Sequence, residues 1–315
     1  MKIAWPLVIV LLFSFSGCAR LYSLALPGES SPGAIVPKPI AKLDGRLLPE
    51  ASALQDSGRF PGIFWTLNDS GNPPRLFAIN KLGQIIQPAG VKNYEGIAVS
   101  GAKNTDWESL ARDDQGHLYV GDIGNNSSKR RDLTIYQIEE PDPWHDLSVI
   151  PSRVIHFFYP EQKNFPDEKL RYDAEALFWL DGHLHLFTKH WQDRDNSLYR
   201  LDITAASDEA TAVFLGNFHL GGMVTAADAS TDGRQLAILT YSGIWLFERG
   251  DSGGFFRRSS QWLSGHWLPI AAKQAEGITF AGDDLMVVNE QGEMFRISAK
   301  PSENQGWRLR KIGEP

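Results

Sequence analysis

Short apolar runs alternate with polar turns along this chain, and most of the runs have the length of strands rather than of helices. An acidic residue, a first apolar run, a glycine turn, a second run and a polar loop recur about every fifty to sixty residues. The clearest copies are Glu108-Ser109-Leu110-Ala111 to Gly116-His117-Leu118-Tyr119-Val120-Gly121-Asp122, and Glu175-Ala176-Leu177-Phe178 to Gly182-His183-Leu184-His185-Leu186-Phe187-Thr188-Lys189. A third runs from Glu276-Gly277-Ile278-Thr279-Phe280 to Asp284-Leu285-Met286-Val287-Val288-Asn289-Glu290. Each unit also carries an apolar-aromatic third run, as in Leu76-Phe77, Ile135-Tyr136, Leu198-Tyr199, Ile244-Trp245 and Met294-Phe295. One such unit cannot bury both faces alone, so the repeat predicts units stacked around an axis.

With the acidic residue as phase marker, Glu50, Glu108, Glu175, the non-acidic Ala226 and Glu276 set the units. The expected fold is all-β, a β-propeller of five four-stranded blades. A six-bladed ring, with Tyr94 to Val99 opening a short extra blade, is the alternative. In the fourth unit the strands read as Ala226 to Ser230, Gln235 to Leu239, Gly243 to Phe247 and Phe256 to Trp262. Closure is expected from pairing Ile40 to Leu48 with Trp307 to Lys311, which would remove exposed sheet edges.

The first residues form a different pattern. Met1-Lys2 precedes an apolar run from Ile3 to Phe15 that is too short to span a bilayer and reads as a signal peptide over residues 1–17. Ser16-Gly17 directly before Cys18, the single cysteine of the chain, resembles a bacterial lipobox. A lone thiol forms no internal disulfide, which fits acylation at Cys18. Ala19 after the cysteine implies an outer-membrane lipoprotein, on the periplasmic face rather than the cell surface, held stably by its acyl chains. Residues 18–45 hold the acylated cysteine and a tether rich in Pro, Gly and Ser, and residues 46–315 form a single propeller domain. Loss of Lys2 with the leader moves the formal charge from −7 to −8, and no basic stripe suggests a nucleic-acid partner.

Two units open on acid, any residue, acid: Asp106-Trp107-Glu108 and Asp173-Ala174-Glu175. Residues two apart on a strand share a face, so each pair aims both carboxylates the same way. Asp69, Asp122, Asp228, Glu276 and Glu290 extend the set into an acidic cluster at one mouth of the axial channel. Converging carboxylates raise one another's pKa unless a cation intervenes, and calcium accepts such oxygen ligands without strict geometry. The expected metal ligands are Asp69, Asp106, Glu108, Asp122, Asp173, Glu175 and Glu276. Asn68, Asn125, Lys189, Asp228 and Glu290 are the expected ligand-binding residues. The bland account of the same acids is structural, with turn capping, a Glu175–Lys189 pair, and Glu108 paired with Arg112 or Arg131. The histidines show no zinc spacing, and no nucleophile-elbow motif is present.

Taken together, Trp65-Thr66-Leu67-Asn68-Asp69-Ser70-Gly71, Asp106-Trp107-Glu108-Ser109-Leu110-Ala111, Gly121-Asp122-Ile123-Gly124-Asn125-Asn126, Asp173-Ala174-Glu175-Ala176-Leu177, Thr188-Lys189 and Glu276-Gly277-Ile278 resemble a family of secreted bacterial β-propellers. That family is similar to the esterase-like and phytase-like propeller group. Leu67, Ser109 and Asn125 stand where its pattern has His, Asp and Asp, which removes one candidate base and two candidate ligands. The expected function is therefore an outer-membrane propeller lipoprotein that binds calcium, and a protein or small-molecule ligand, at the axial mouth. One alternative is a metal-dependent hydrolase of phosphate or carboxylic esters with Glu108 or Glu175 as base. Another is an assembly scaffold. Cys18→Ser is expected to release the protein from membranes and to abolish labelling by a fatty acid, whereas an unlabelled wild-type protein would refute the lipobox.

Overall fold

The computed structural model describes residues 33–203, 208–250, 255 and 264–312. Cys18, the leader and most of the tether, and the expected strand Phe256 to Trp262 lie outside the described residues. The fold is all-β and propeller-like, with one short 3-10 turn at Glu303–Gln305 and no α-helix among the described residues. No helix there is long and apolar enough to cross a membrane.

The strands form four hydrogen-bonded sheets of four, six, eight and five strands. The first meander pairs Gln55–Asp56, Ile63–Leu67, Arg75–Asn80 and Ile97–Val99 in order. The eight-stranded sheet is two antiparallel meanders. One runs through Trp107–Arg112, His117–Asp122, Thr134–Glu139 and Arg153–Phe158. The other runs through Asp173–Leu180, His183–Lys189, Asn196–Ile203 and Glu209–Phe218. Their outer edges meet in a parallel pair, His156 opposite Glu209. Val224–Ala229, Gln235–Thr240, Gly243–Glu248 and Ser264–Pro269 follow, and then Ala275–Ala281, Asp284–Asn289 and Glu293–Ser298. The apolar-aromatic runs are the third strands of these meanders, because the alternation leaves an apolar row for each face of a sheet that is covered on both sides.

First strands pack on first strands around the axis: Gln55–Asp56 lies between Ala275–Ala281 and Trp107–Arg112, and Asp173–Leu180 between Trp107–Arg112 and Val224–Ala229. The apolar core sits between neighbouring sheets, with Trp65, Trp107, Phe64, Phe178 and Phe187 fully buried. Gly277 is required at one such junction, since a Cβ there would lie 2.7 Å from the Leu54 amide nitrogen.

The two chain ends do not pair with each other, contrary to the expectation. Ala41–Lys42 pairs with Met294 and Glu293 and supplies the outer strand of the last meander. Arg308–Lys311 instead adds a fifth strand to the preceding sheet, on Ser264–Trp267. Each end covers a different open edge, which removes both by separate means. The ends still meet, because Ile35 bridges Ile270 and sits against Gly306, where a Cβ would lie 2.4 Å from its Cδ1. Trp267 is in the strand Ser264–Pro269 and packs on Trp245 with ring centroids 5.1 Å apart.

The outer strand of a three-stranded meander matters more than a fifth strand on a complete one. A chain beginning at Leu43 is therefore expected to melt at a markedly lower temperature than one ending at Trp307. Equal midpoints, or the reverse order, would refute this account of closure.

Candidate functional site at the axial mouth

In four meanders the first strand carries one extra residue against its partner at the same level. The ladder steps from Trp107 to Ser109 past Glu108, from Ala174 to Ala176 past Glu175, from Val224 to Ala226 past Thr225, and from Ala275 to Gly277 past Glu276. In the first meander Ala51 faces Asn68 while Gln55 faces Trp65, so one extra residue lies between them too. A bulge re-aims its side chain, and here it turns acids toward the axis. The non-acidic marker is thus Thr225, not Ala226. Thr225 donates through Oγ1 to the Ala275 carbonyl at 2.7 Å, and Ser52 donates through Oγ to the Trp107 carbonyl at 3.1 Å. Each of these hydroxyls ties one first strand to the residue before a bulged glutamate.

The mouth is a cavity of about 20 Å³ lined by Ser52, Asp69, Glu108, Glu175, Lys189, Tyr241, Gln274, Glu276 and Glu290. That is room for one water-sized body. Asp69, Asp106 and Glu108 each place a carboxylate oxygen within 4.8 Å of the other two. The oxygens around one calcium, each 2.3–2.6 Å from it, span distances up to about 5 Å, so the trio fits a hard cation. Gly124 makes the approach possible: a Cβ there would lie 2.5 Å from Asp106 Oδ2 and 2.7 Å from Glu108 Oε1.

Asp106 is 8% exposed and Glu108 7%, and no donor among the described residues reaches either carboxylate. Asp69 accepts from the Ser70 amide. Burial pushes Asp69 up to about 6 and Asp106 up to about 7, the latter helped by the charges of Asp69 and Asp173. Burial, then Asp69 and Glu175, drives Glu108 well above the usual carboxylate range.

The other acids of the mouth have partners. Glu175 Oε1 lies 2.5 Å from Lys189 Nζ, and Asp173 Oδ2 lies 3.8 Å from it. Burial works against the ammonium, but Glu175, Tyr241, Asp173 and Glu276 hold its pKa well above the ordinary lysine value. Asp173 also accepts from the Asn125 amide at 2.6 Å and from Trp191 Nε1 at 2.7 Å. Tyr241 donates to Glu276 at 3.1 Å and Gln274 donates to Glu290 at 3.1 Å. Burial lifts Glu276 to about 8, against the pull of Lys189, and Glu290 to about 7.

Several expected site residues do structural work instead. Asp122 accepts from the Asp106 amide at 2.9 Å and from Arg130 Nη1 at 2.8 Å, which fixes the loop under Gly124. Asn68 donates to the Leu47 carbonyl at 2.9 Å, and Asn125 donates to the Tyr172 carbonyl at 3.1 Å. Asp228 lies at the other end of its strand, accepting from the Phe280 amide and Thr279 Oγ1 at 2.9 Å each, beside a separate cavity of about 210 Å³ that Arg112 also lines. Arg112 is therefore not the partner of Glu108, and Arg131 lies over the Phe165 ring. Sequence reasoning missed Ser52, Tyr241 and Gln274, whose only signal was their position beside a bulge or at a strand end.

It also missed a string of groups at the top of the Asn196–Ile203 strand. Ser197 Oγ lies 2.8 Å from His190 Nε2, and His190 Nδ1 lies 3.0 Å from Asp193 Oδ1. The order looks like nucleophile, base and acid. However, Ser197 is only 4% exposed and its hydroxyl donates to Asn217 Oδ1 at 2.7 Å, so the string is a buried lock between strands.

No family model and no curated protein matches the chain. Among solved structures it is similar to a chain of the Crystal Structure of Mitotic Checkpoint Complex, with 10% identity over 94% of this chain and 98% of that one at a TM-score of 0.38. It is likewise similar to the computationally designed Ika8 protein, with 10% identity over 83% of this chain and 99% of that one at a TM-score of 0.36.

Proposed function

We propose that this chain is a five-bladed propeller whose mouth binds one hard divalent cation, calcium, through Asp69, Asp106 and Glu108, and that it serves as an envelope-anchored binding module. The blade count follows if the eight-stranded sheet is taken as two blades, which leaves every first strand at the axis. Anchoring rests on the Ser16-Gly17-Cys18 sequence.

One comparison carries the cation reading. Asp106-x-Glu108 and Asp173-x-Glu175 occupy the same level of equivalent strands, both flanking a bulge. The second pair is compensated from within, by Lys189, Trp191 and the Asn125 amide. The first pair has no described donor at either carboxylate. Two carboxylates side by side, largely out of water and with no described donor, disfavour full ionisation of both unless water, a proton or a cation meets the oxygens that face the mouth, and the charges of Lys189 and Arg130 offset this only in part. A bound ion would supply the positive charge that Lys189 supplies at the other pair.

The hydrolase alternative has less support. Glu175, one of the two candidate bases, is held by Lys189, and Glu108, the other, lines a cavity of only about 20 Å³. The likeness to the esterase-like and phytase-like group therefore bears on architecture more than on turnover.

The test is a thermal melt against pH, with calcium or with a chelator. The folded chain without an ion keeps protons that the unfolded chain releases, since Asp69, Asp106 and Glu276 move from 3.8, 3.8 and 4.5 to about 6, 7 and 8. Raised acid pKa values remove stability as pH rises through that window, so the midpoint in chelator should fall between about pH 4 and pH 8. Calcium should reverse the fall at the upper end, by about 2.7 kcal/mol at a hundredfold excess over its Kd. Glu108→Gln should abolish most of the calcium effect, because an amide keeps the shape and loses the charge. Glu175→Gln should preserve most of it. Identical midpoints with calcium and with chelator in the wild-type protein would refute cation binding.

A further inference from the structure

At the end of the sheets opposite the mouth, the two meanders of the eight-stranded sheet leave a cavity of about 280 Å³ between them. The cavity of about 210 Å³ beside Asp228 adjoins it, because Asp113, Trp179 and Gly182 line both. The level is set by the ladder, in which Leu180 pairs with His183 at this end and Asp173 with Lys189 at the mouth. The two spaces are on the scale of small-molecule sites, ~300–1,000 Å³.

The lining discriminates between classes of ligand. Five aspartates and two arginines line the pair of cavities, a balance that disfavours an anion. Four of those aspartates are already satisfied, which leaves little for a cation. Asp113 accepts from the Gln115 and His117 amides at 2.9 Å and from the Tyr119 hydroxyl at 3.0 Å, and Asp228 accepts from the Phe280 amide and Thr279 Oγ1. Asp181 accepts from Arg249 Nη2 at 2.8 Å, and Asp232 from Ser230 Oγ at 2.6 Å and the Arg234 amide at 3.0 Å. A peptide finds no edge on which to add a strand in the larger cavity, since His117–Asp122, Thr134–Glu139, Arg153–Phe158, His183–Lys189 and Asn196–Ile203 are each laddered on both sides.

What remains on the walls is aromatic and neutral. Trp179 stacks on Tyr119 with ring centroids 5.8 Å apart and planes 9° apart, and no acceptor among the described residues reaches its Nε1. Exposed Gln115 and half-buried Gln137 line the larger cavity with side-chain amides that make no described hydrogen bond. We propose that this groove binds a neutral carbohydrate chain, with one pyranose ring packed on Trp179 and its hydroxyls met by Gln115 and Gln137. A pyranose presents C–H groups on its faces, which suit the electron-rich face of an indole, and hydroxyls around its rim, which suit amides that both donate and accept. Tyr119, buried beneath the indole, holds its plane, so little side-chain freedom is lost on binding.

The experiment probes an array of neutral and acidic oligosaccharides with the full-length protein and measures the tightest binder by calorimetry. Neutral oligosaccharides are expected to bind, and with the same affinity in calcium and in chelator, because the groove lies at the opposite end from the cation site. Trp179→Ala should bind about tenfold more weakly, through loss of the stacking surface. If Trp179→Ala folds poorly, Gln115→Ala and Gln137→Ala test the same contact, since neither amide makes a described hydrogen bond within the protein, and together they should weaken binding while leaving the melting midpoint unchanged. Binding to no oligosaccharide, binding to acidic ones only, or an affinity unchanged in all of these variants would overturn the proposal.

Discussion

The desolvation of carboxylates where the first strands converge is the constraint on which the rest of this structure depends. Bulged positions turn Glu108, Glu175 and Glu276 toward the axis, and all three are buried there. An ionised carboxylate out of water is costly unless donors or opposite charges replace its hydration. The arrangement around the mouth is a set of replies to that cost: an ammonium at Glu175, a phenol at Glu276 and an amide at Glu290.

Buried carboxylates elsewhere in the protein show how completely this chain meets the same demand away from the mouth. Glu140 accepts from Trp65 Nε1 at 2.8 Å, from the amides of Gly58 and Arg59 at 3.2 Å each, and from Ser57 Oγ. Asp113 accepts from two amides at 2.9 Å and from the Tyr119 hydroxyl at 3.0 Å. Against that standard the bare carboxylates of Asp106 and Glu108 stand apart. Gly124, the one residue type that lets the loop pass so close to them, shows that the backbone is fitted around the pair rather than displaced by it.

The same geometry shows how little room the mouth leaves beside its carboxylates. The cavity there is about 20 Å³, with carboxylate oxygens on its walls. Where the chain does align a serine, a histidine and an aspartate, at Ser197, His190 and Asp193, the hydroxyl is spent on Asn217 inside the packing. Proximity of reactive groups has no catalytic value without an approach for substrate.

By itself, the sequence determined most of the strands. Apolar-aromatic runs such as Ile244-Trp245 and Met294-Phe295 read as strands because their pattern suits a sheet covered on both faces, whereas the two-residue strand period does not by itself carry the acid-x-acid pairs, since Asp106 precedes its strand and Glu108 and Glu175 are bulged. The Glu175–Lys189 pair was legible locally, since both residues lie at the ends of one hairpin. The tertiary structure alone decided which edges the chain ends cover. Ala41–Lys42 and Arg308–Lys311 are both short strand-formers, and only the position of each open edge in space distinguishes their partners. It also decided that Thr225 rather than Ala226 faces the axis, because a one-residue bulge shifts register without leaving a mark in composition. Asp122, Asp173 and Asp228 look alike in sequence to Asp106. Which acid is satisfied and which is left bare depends on donors supplied from other strands, such as Trp191 to Asp173 and Phe280 to Asp228, and those contacts exist only once the sheets have packed.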